Sequence, residues 1–130
     1  MAYRLTAITT LLMLITYLWT GVLVGKARSA HAVKAPATEG PDAFNRVYRA
    51  HVKTLEQLAL MVPALWIFAT VVGDVWAGAL GLVWIAGRVM FVLGYAEAAE
   101  KREMGFGVTF VSMAIAIVGG LGGLIWGMIK

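Results

Sequence analysis

The chain of 130 residues has no cysteine, two histidines and only 14% charged residues. The absence of cysteine excludes disulfide bonds, thiolate metal sites and a cysteine nucleophile. Two histidines are too few for a histidine metal cluster within one chain, although carboxylates could in principle add ligands. Ordinary soluble domains carry charge on roughly 25% of their residues. The shortage of charge therefore excludes that class.

Apolar residues make up 61% of the sequence and gather in long runs. Residues 5–25, for example, carry no charge and are long enough to span a hydrocarbon core of about 30 Å. The pattern predicts an all-α integral membrane protein with one four-helix domain over residues 1–130. The helices are expected at about 4–30, 42–72, 75–101 and 105–129. No extended basic surface indicates nucleic-acid binding.

The second predicted helix begins with several charged residues. At about 100° per residue, four of them fall within one sector of about 80°: Arg46, Arg49, Lys53 and Glu56. For Arg46 alone, a solvated helix end is an equally good explanation. Glu56 lies about 15 Å further along the helix, too far for a short side chain to reach back to water. We therefore expect this group, the helix-two stripe, to face protein or a water-filled cleft.

A second stripe is predicted on the third helix, where Arg88, Phe91, Tyr95 and Arg102 share a sector of about 60°. Measured from the Gly73-Asp74 turn, Arg88 and Glu56 lie at similar depths, about 20 and 25 Å. An unpaired charge at such a depth is costly. We therefore predict that Glu56 and Arg88 neutralise each other, within one chain or across a subunit interface.

The remaining pattern concerns packing and orientation. Four glycines of the last predicted helix form a small-residue surface typical of close helix contact: Gly119, Gly120, Gly122 and Gly123. Most basic residues lie toward the bundle end that carries both stripes. The positive-inside rule then places that end and the long loop in the cytoplasm, with both termini on the opposite side.

Together the two stripes indicate an amphipathic reaction. They supply cations, a carboxylate and an aromatic hydroxyl beside apolar surface in contact with lipid. An anionic ligand would enter from the cytoplasm, and a lipophilic partner from the bilayer. Because arginine binds carboxylates in a bidentate manner, a carboxylated cofactor fits. Spacing alone does not name it.

Residues 44–51 read Phe-Asn-Arg-Val-Tyr-Arg-Ala-His, followed by Leu55-Glu56, then by Gly87-Arg88-Val89 and Gly94-Tyr95. This combination resembles the MAPEG family, the membrane-associated proteins of eicosanoid and glutathione metabolism, in a bacterial-type form like the microsomal glutathione S-transferases. The resemblance covers roughly residues 26–107 and the four-helix layout. It implies a homotrimer that binds glutathione between neighbouring subunits near the cytoplasmic side.

The resemblance also suggests roles for single residues. Arg49 and Glu56 match the glutathione-binding arginine and glutamate of the family's second helix. Arg28 matches a basic position at the end of the first helix. Arg88 and Tyr95 match positions of the third-helix motif that touch the glutathione site. All five are therefore expected to bind glutathione.

Arg102 matches the arginine that is proposed to hold the glutathione sulfur as a thiolate in the leukotriene-conjugating and prostaglandin E synthases. It is the expected catalytic residue, because a neighbouring cation lowers the pKa of a thiol. The sequence departs from the family at Lys53, usually asparagine, and at Phe91, often tyrosine. Lysine keeps hydrogen-bond donors but lacks the amide's acceptor. Lys53 is thus expected either to contact a ligand carboxylate or to pair with Glu56.

The resemblance implies a membrane-bound, glutathione-dependent transferase or peroxidase. Its partners would be copies of itself, membrane lipids, and a lipophilic electrophile or lipid hydroperoxide from the bilayer. Two alternatives remain open. One is a small four-helix transporter of the multidrug type that uses Glu56, although it would not need Arg49, Arg88 and Arg102. The other is a non-catalytic MAPEG-like membrane protein in which the stripes only lock the trimer.

Overall fold

The computed structural model describes residues 2–129, apart from the side chain of Ala99. Four helices run through this part of the chain: α1 (Arg4–His31), α2 (Asp42–Val71), α3 (Asp74–Glu97) and α4 (Glu103–Ile129). A 3-10 turn, Ala99–Arg102, joins α3 to α4. All four helices are long and apolar enough to cross a membrane. The predicted all-α membrane fold is confirmed.

The helices form an up-and-down bundle in which α2 and α3 lie between α1 and α4. One end of the bundle, called the turn end, carries the start of α1, the Gly73 turn and the end of α4. The opposite end, called the loop end, carries residues 32–41 and the 3-10 turn. Both predicted stripes lie toward the loop end.

The buried face of α1 is lined mainly by threonine. Its buried residues are Thr6, Thr9, Met13, Thr16, Thr20 and Val24. Leu11, Ile15 and Leu18 point outward instead. Lipid tails are as apolar as leucine, so membrane helices associate through small and polar side chains rather than through apolar ones. The Thr9 hydroxyl accordingly donates to the Gly78 carbonyl of α3, at 3.3 Å.

Asp74, the first residue of α3, caps the start of α1. Its Oδ2 accepts from the Leu5 N–H at 3.0 Å. Its Oδ1 accepts from both the N–H and the hydroxyl of Thr6, each at 2.7 Å. A carboxylate at the positive end of a helix dipole satisfies backbone donors that have no partner within the helix. At the turn end, this one side chain therefore joins the start of α3 to the start of α1.

The predicted glycine surface of α4 packs against α2. A β-carbon at Gly119 would lie 2.7 Å from the Phe68 ring, and one at Gly123 would lie 1.9 Å from Val71. Gly120 also faces α2, whereas Gly122 meets no described atom within 4 Å. The expectation of close packing is confirmed for three of the four glycines.

The third helix ends earlier than predicted, at Glu97 instead of 101. Ala98 is extended, with φ −162° and ψ 144°. The chain then folds back so closely over Gly94 that a β-carbon there would lie 2.4 Å from the Lys101 carbonyl oxygen. Arg102 therefore lies on a separate turn, and the prediction that it continues the α3 stripe was wrong.

Candidate functional site

Two adjoining pockets lie toward the loop end of the bundle. The outer pocket, of 450 Å³, is lined by Tyr48, Arg49, Val52, Lys53, Glu56, Tyr95 and Arg102. The inner pocket, of 280 Å³ and more enclosed, is lined by Lys53, Glu56, Gln57, Arg88, Phe91, Arg102, Glu103 and Phe106. Three residues, Lys53, Glu56 and Arg102, belong to both linings. We call them the shared wall.

The helix-two stripe supplies the α2 side of both pockets. Arg49, Lys53 and Glu56 follow at helical spacing and are exposed on the surface of the single chain. The expectation that they face a cleft is confirmed. Arg46 is different, because its Nε donates to the Ala96 carbonyl at 3.4 Å and it lines neither pocket.

The α3 side is built from Tyr95 and Phe91, two buried rings in edge-to-face contact at 5.5 Å. The Arg102 guanidinium lies 5.0 Å from the centre of the Tyr95 ring. This contact arises from the fold-back over Gly94, since Arg102 is not on the helix. The structure thus brings Arg102 and Tyr95 together as expected, although by a different backbone route.

Arg88 lines the inner pocket and is only 1% exposed. Its guanidinium stacks on Phe91 at 3.8 Å from the ring centre. Its Nε, Nη1 and Nη2 have no hydrogen-bond partner among the described residues. A buried cation without a hydrogen-bonded anion is strongly destabilising. Arg88 is therefore the most unusual side chain of the site.

The predicted ion pair between Glu56 and Arg88 does not form within the chain, where the described residues show only the Lys101–Glu97 pair. Both residues line the inner pocket, but Glu56 is exposed on α2 whereas Arg88 is buried on α3. Equal depth along two helices does not fix the angle at which side chains leave them. A pair across a subunit interface stays a prediction.

Arg28 lies outside both pockets of its own chain. Its Nη1 donates to the Ala37 carbonyl at 2.7 Å, and its guanidinium lies 5.3 Å from the centre of the Phe44 ring. In this chain Arg28 therefore fastens the loop to the end of α1. The structure does not bring it to the other predicted site residues.

In the inner pocket the sequence analysis missed three lining residues, Gln57, Glu103 and Phe106, and in the outer pocket it missed Tyr48 and Val52. Gln57 follows Glu56 directly, and its side-chain oxygen is buried without a partner. Glu103 and Phe106 come from α4, whose first turn carries them on one face at a spacing of three residues. That spacing becomes informative only once the start of α4 at Glu103 is known.

His51 holds α2 against α1 behind the stripe. Its ring stacks on Tyr17 with 4.7 Å between ring centres. The Thr20 hydroxyl donates to the Tyr17 carbonyl at 2.6 Å, so it accepts from the His51 Nδ1–H at 2.8 Å. These contacts fix the rotation of α2, and with it the direction of the stripe.

The two pockets together contain four cations, Arg49, Lys53, Arg88 and Arg102, and two carboxylates, Glu56 and Glu103. Two positive charges are thus in excess. Phe91 and Phe106 add apolar surface in the inner pocket. The site can hold a strongly anionic ligand beside an apolar one.

Comparison with known proteins decides the family. The model of the MAPEG family matches residues 6–122. The chain belongs to the MAPEG family. It is therefore an integral, multi-pass membrane protein, in agreement with its four membrane-length helices.

Relatives in this family include proteins from bacteria and mammals. An uncharacterized protein of Synechocystis is 42% identical over 92% of this chain and 88% of its own length. Microsomal glutathione S-transferase 2 of Homo sapiens is 39% identical over 76% of this chain and 68% of its own length. Leukotriene C4 synthase of Cavia porcellus is 37% identical over 75% and 65%, respectively. This chain thus spans about two thirds of the length of these mammalian relatives.

Proposed function

We propose that this MAPEG protein is a membrane-bound, glutathione-dependent transferase or peroxidase that acts on lipophilic electrophiles or lipid hydroperoxides. The observation that carries the proposal is the shared wall, where Arg102 and Lys53 line both the outer pocket and the more enclosed inner one. A thiol held at this wall would meet an acceptor from the second pocket. Relatives named as a glutathione S-transferase and a leukotriene synthase support the same chemistry.

The charge of the site suits glutathione. This tripeptide has two carboxylates, one ammonium group and one thiol, so it carries two net negative charges once the thiol is ionised. The pockets offer two positive charges in excess. An ionised ligand would be neutralised completely, and the ionised thiol would be favoured over the neutral thiol.

The lining residues suit the parts of the tripeptide. Arg49 presents a planar guanidinium that binds a carboxylate in a bidentate manner. Glu56 is the carboxylate available to the ammonium group, while Lys53 adds a donor and Tyr95 a hydroxyl. Arg102, which lies over the Tyr95 ring, would face the sulfur and lower the pKa of the thiol. The thiolate then attacks the lipophilic electrophile.

The exposed stripe also supports assembly. Arg49, Lys53 and Glu56 lie on the surface of the single chain, where lipid would face charged groups. We propose that neighbouring subunits of a homotrimer cover this surface and complete the glutathione site. Arg28, which lies outside the pockets of its own chain, would serve the site only through that interface. The excess of basic residues at the loop end supports a cytoplasmic site, with both termini on the opposite side.

The proposal is tested by calorimetric titration of glutathione into the full chain in detergent. Wild type is expected to bind, and Arg49→Ala is expected to lose most of the affinity. Lys101→Ala is the matched control, because Lys101 pairs with Glu97 and lines neither pocket. If wild type takes up no glutathione, the proposed function is wrong. Equal losses in both variants would mean that only general charge matters.

A further inference from the structure

The fourth helix changes its packing partner along its length. Near the loop end it lies on α3, since a β-carbon at Gly105 would lie 2.2 Å from the Phe91 backbone nitrogen. Toward the turn end it lies on α2 instead, where a β-carbon at Gly119 would lie 2.7 Å from the Phe68 ring. Helices α3 and α4 therefore separate toward the turn end and leave a cleft between them.

This cleft, called the α3–α4 cleft, has a volume of 310 Å³ and shares no lining residue with the two pockets of the candidate site. Its floor consists of Phe68 from α2 and Leu80 from α3, which are both buried. Trp76 and Ala79 from α3 and Ile115 from α4 are exposed at its sides. Every lining side chain is hydrophobic and none is charged, so the cleft suits a hydrocarbon rather than a polar ligand.

The α3–α4 cleft lies at membrane depth. Its lining comes from the end of α2, the first three turns of α3 and the middle of α4, and all three helices are long and apolar enough to cross a membrane. The cleft therefore opens toward lipid and not toward water. Protein interiors are close-packed, and the walls of an unfilled void lose dispersion contacts. A hydrocarbon chain in the cleft restores those contacts.

The volume of the α3–α4 cleft decides between a lipid chain and a partner helix. A helix with its side chains is about 10 Å across and rises about 1.5 Å per residue, so ten residues occupy roughly 1,000 Å³. This volume is about three times that of the cleft. A partner helix is therefore too thick to enter, whereas one extended hydrocarbon chain fits.

The direction of the α3–α4 cleft also favours lipid over a second copy of the chain. At about 100° per residue, Phe68 and Val72 lie roughly 90–130° around α2 from the helix-two stripe. That stripe is the surface proposed above to be covered by neighbouring subunits. The cleft faces a different side of α2, so it is left open to the bilayer.

Trp76 marks the end of the cleft at the membrane surface. It lies in the first turn of α3, and its side chain is 66% exposed. Tryptophan is enriched where a membrane meets water, because its ring contacts hydrocarbon while its N–H donates to a polar group. The ester and phosphate oxygens of a phospholipid lie at the same level and accept hydrogen bonds.

We propose that the α3–α4 cleft binds one acyl chain of a membrane phospholipid from the leaflet at the turn end. The Trp76 N–H donates to an ester or phosphate oxygen of the same lipid. The bound chain fills the space between α3 and α4 and stabilises the bundle there. The site is separate from the proposed glutathione site and does not depend on the proposed catalysis.

The test uses the full chain in phosphatidylcholine vesicles that contain a small fraction of phosphatidylcholine with a photoactivatable diazirine in one acyl chain. After illumination, peptide mass spectrometry locates the labelled residues. Ile115 of the cleft and Leu14 of α1 are similarly exposed, 47% and 44%. Labelling of Ile115 is expected to exceed that of Leu14 severalfold and to saturate as the fraction of labelled lipid rises.

Ala79→Phe fills the cleft from an exposed position and should lower the labelling of Ile115 severalfold. Ala86→Phe is the matched control and should change nothing. Ala86 is exposed about two turns further along the same face of α3, but it lines neither the cleft nor either pocket. If Ala79→Phe does not fold, Ile115→Trp narrows the cleft from the other side, and the labelling of Leu80 is measured instead.

Trp76→Phe keeps an aromatic ring but removes the N–H donor. It should weaken the labelling of Ile115 without abolishing it, because the acyl chain still fits. Unchanged labelling at every lipid fraction would overturn the proposed contact of Trp76 with the lipid oxygen.

Equal labelling of Ile115 and Leu14 in wild type would show only general contact with the bilayer and would overturn the proposal. Equal labelling in Ala79→Phe and wild type would overturn it as well. Ala79→Cys tests the other occupant, because the chain has no cysteine of its own. A disulfide between two chains, formed on oxidation in vesicles, would show that a second copy covers the cleft. None of these measurements uses glutathione, so their failure leaves the proposed function unaffected.

Discussion

The two ends of the bundle treat polar groups in opposite ways. At the turn end, Asp74 accepts three hydrogen bonds from Leu5 and Thr6, and its carboxylate is well provided with donors. From the middle of the bundle toward the loop end, Trp84, Arg88 and Gln57 have buried polar atoms without partners among the described residues. Polar groups whose hydrogen bonds are satisfied within the chain hold helices together, whereas buried polar groups without partners are suited to bind a ligand or another subunit. The contrast separates the part of the molecule that stabilises the fold from the part that binds.

The largest effect is expected from Arg102→Met at the loop end. Removing the cation beside the sulfur should lower kcat about 100-fold at neutral pH. The activity should recover partly at higher pH, because the pKa of the bound thiol rises toward its ordinary value and more base is needed to ionise it. Turnover as a function of pH checks this. A profile identical to that of wild type would show that Arg102 does not act on the thiol.

A somewhat smaller effect is expected from Gly94→Ala. The added β-carbon would lie 2.4 Å from the Lys101 carbonyl oxygen, so the 3-10 turn must move and carry Arg102 away from Tyr95. A displacement of about 1 Å can lower activity by up to about 100-fold. We expect at least a tenfold loss of turnover with the fold retained. Gly107→Ala is the control, because no described atom lies within 4 Å of its added carbon.

At the turn end the expected effect is on stability alone. Asp74→Ala leaves the backbone donors of Leu5 and Thr6 without their acceptor, so the melting temperature should fall by several degrees. Glutathione affinity of the folded protein should not change. Asp42→Ala is the matched control, since the start of α2 has no side-chain cap. A loss of glutathione affinity in Asp74→Ala would contradict the view that the turn end only stabilises the fold.

The smallest expected effect is on the stability of Arg88→Met. Because the Arg88 guanidinium has no hydrogen-bond partner among the described residues, its replacement by an apolar side chain should leave the melting temperature unchanged or raise it. A fall as large as that of Asp74→Ala would instead indicate an anionic partner from another subunit. Glu56→Gln should then show the same fall, which would support the predicted pair across the interface.

The same contrast shows what the sequence can predict. The long uncharged runs predicted the four helices, because only a helix satisfies its backbone within lipid. The spacing of Arg46, Arg49, Lys53 and Glu56 predicted a common face, and the structure places the last three, but not Arg46, in the pocket linings. These features depend on one helix at a time. They are therefore visible without knowledge of the packing.

Features that depend on two helices were missed. The residues from Ala96 to Arg102 read Ala-Glu-Ala-Ala-Glu-Lys-Arg, all good helix formers, so helix propensity alone does not place the end of α3 at Glu97. The break accompanies the fold-back of the 3-10 turn over Gly94, a backbone contact that residue propensities do not report. The sequence analysis also missed that the buried face of α1 is lined by threonine, for a similar reason. Hydropathy shows that a helix is apolar, but it does not show which side faces lipid.

The predicted pair of Glu56 and Arg88 failed within the chain because depth along a helix was known and rotation was not. Rotation of α2 depends on contacts such as that of His51 with Tyr17 and Thr20. No single-helix pattern reports such contacts. Glu103 was not predicted as a site residue because it is the first residue of α4, and that helix was expected to begin two residues later.

The most direct test of the account is the ultraviolet absorbance of the thiolate when glutathione is added to the full-length protein at neutral pH. The account predicts that the absorbance rises and saturates as the binding sites fill. The increase should be much smaller in Arg102→Met, and it should be absent with S-methylglutathione, which has no thiol. Glutathione that binds without any increase in thiolate absorbance would contradict it. The cations of the shared wall would then hold the peptide without activating its sulfur.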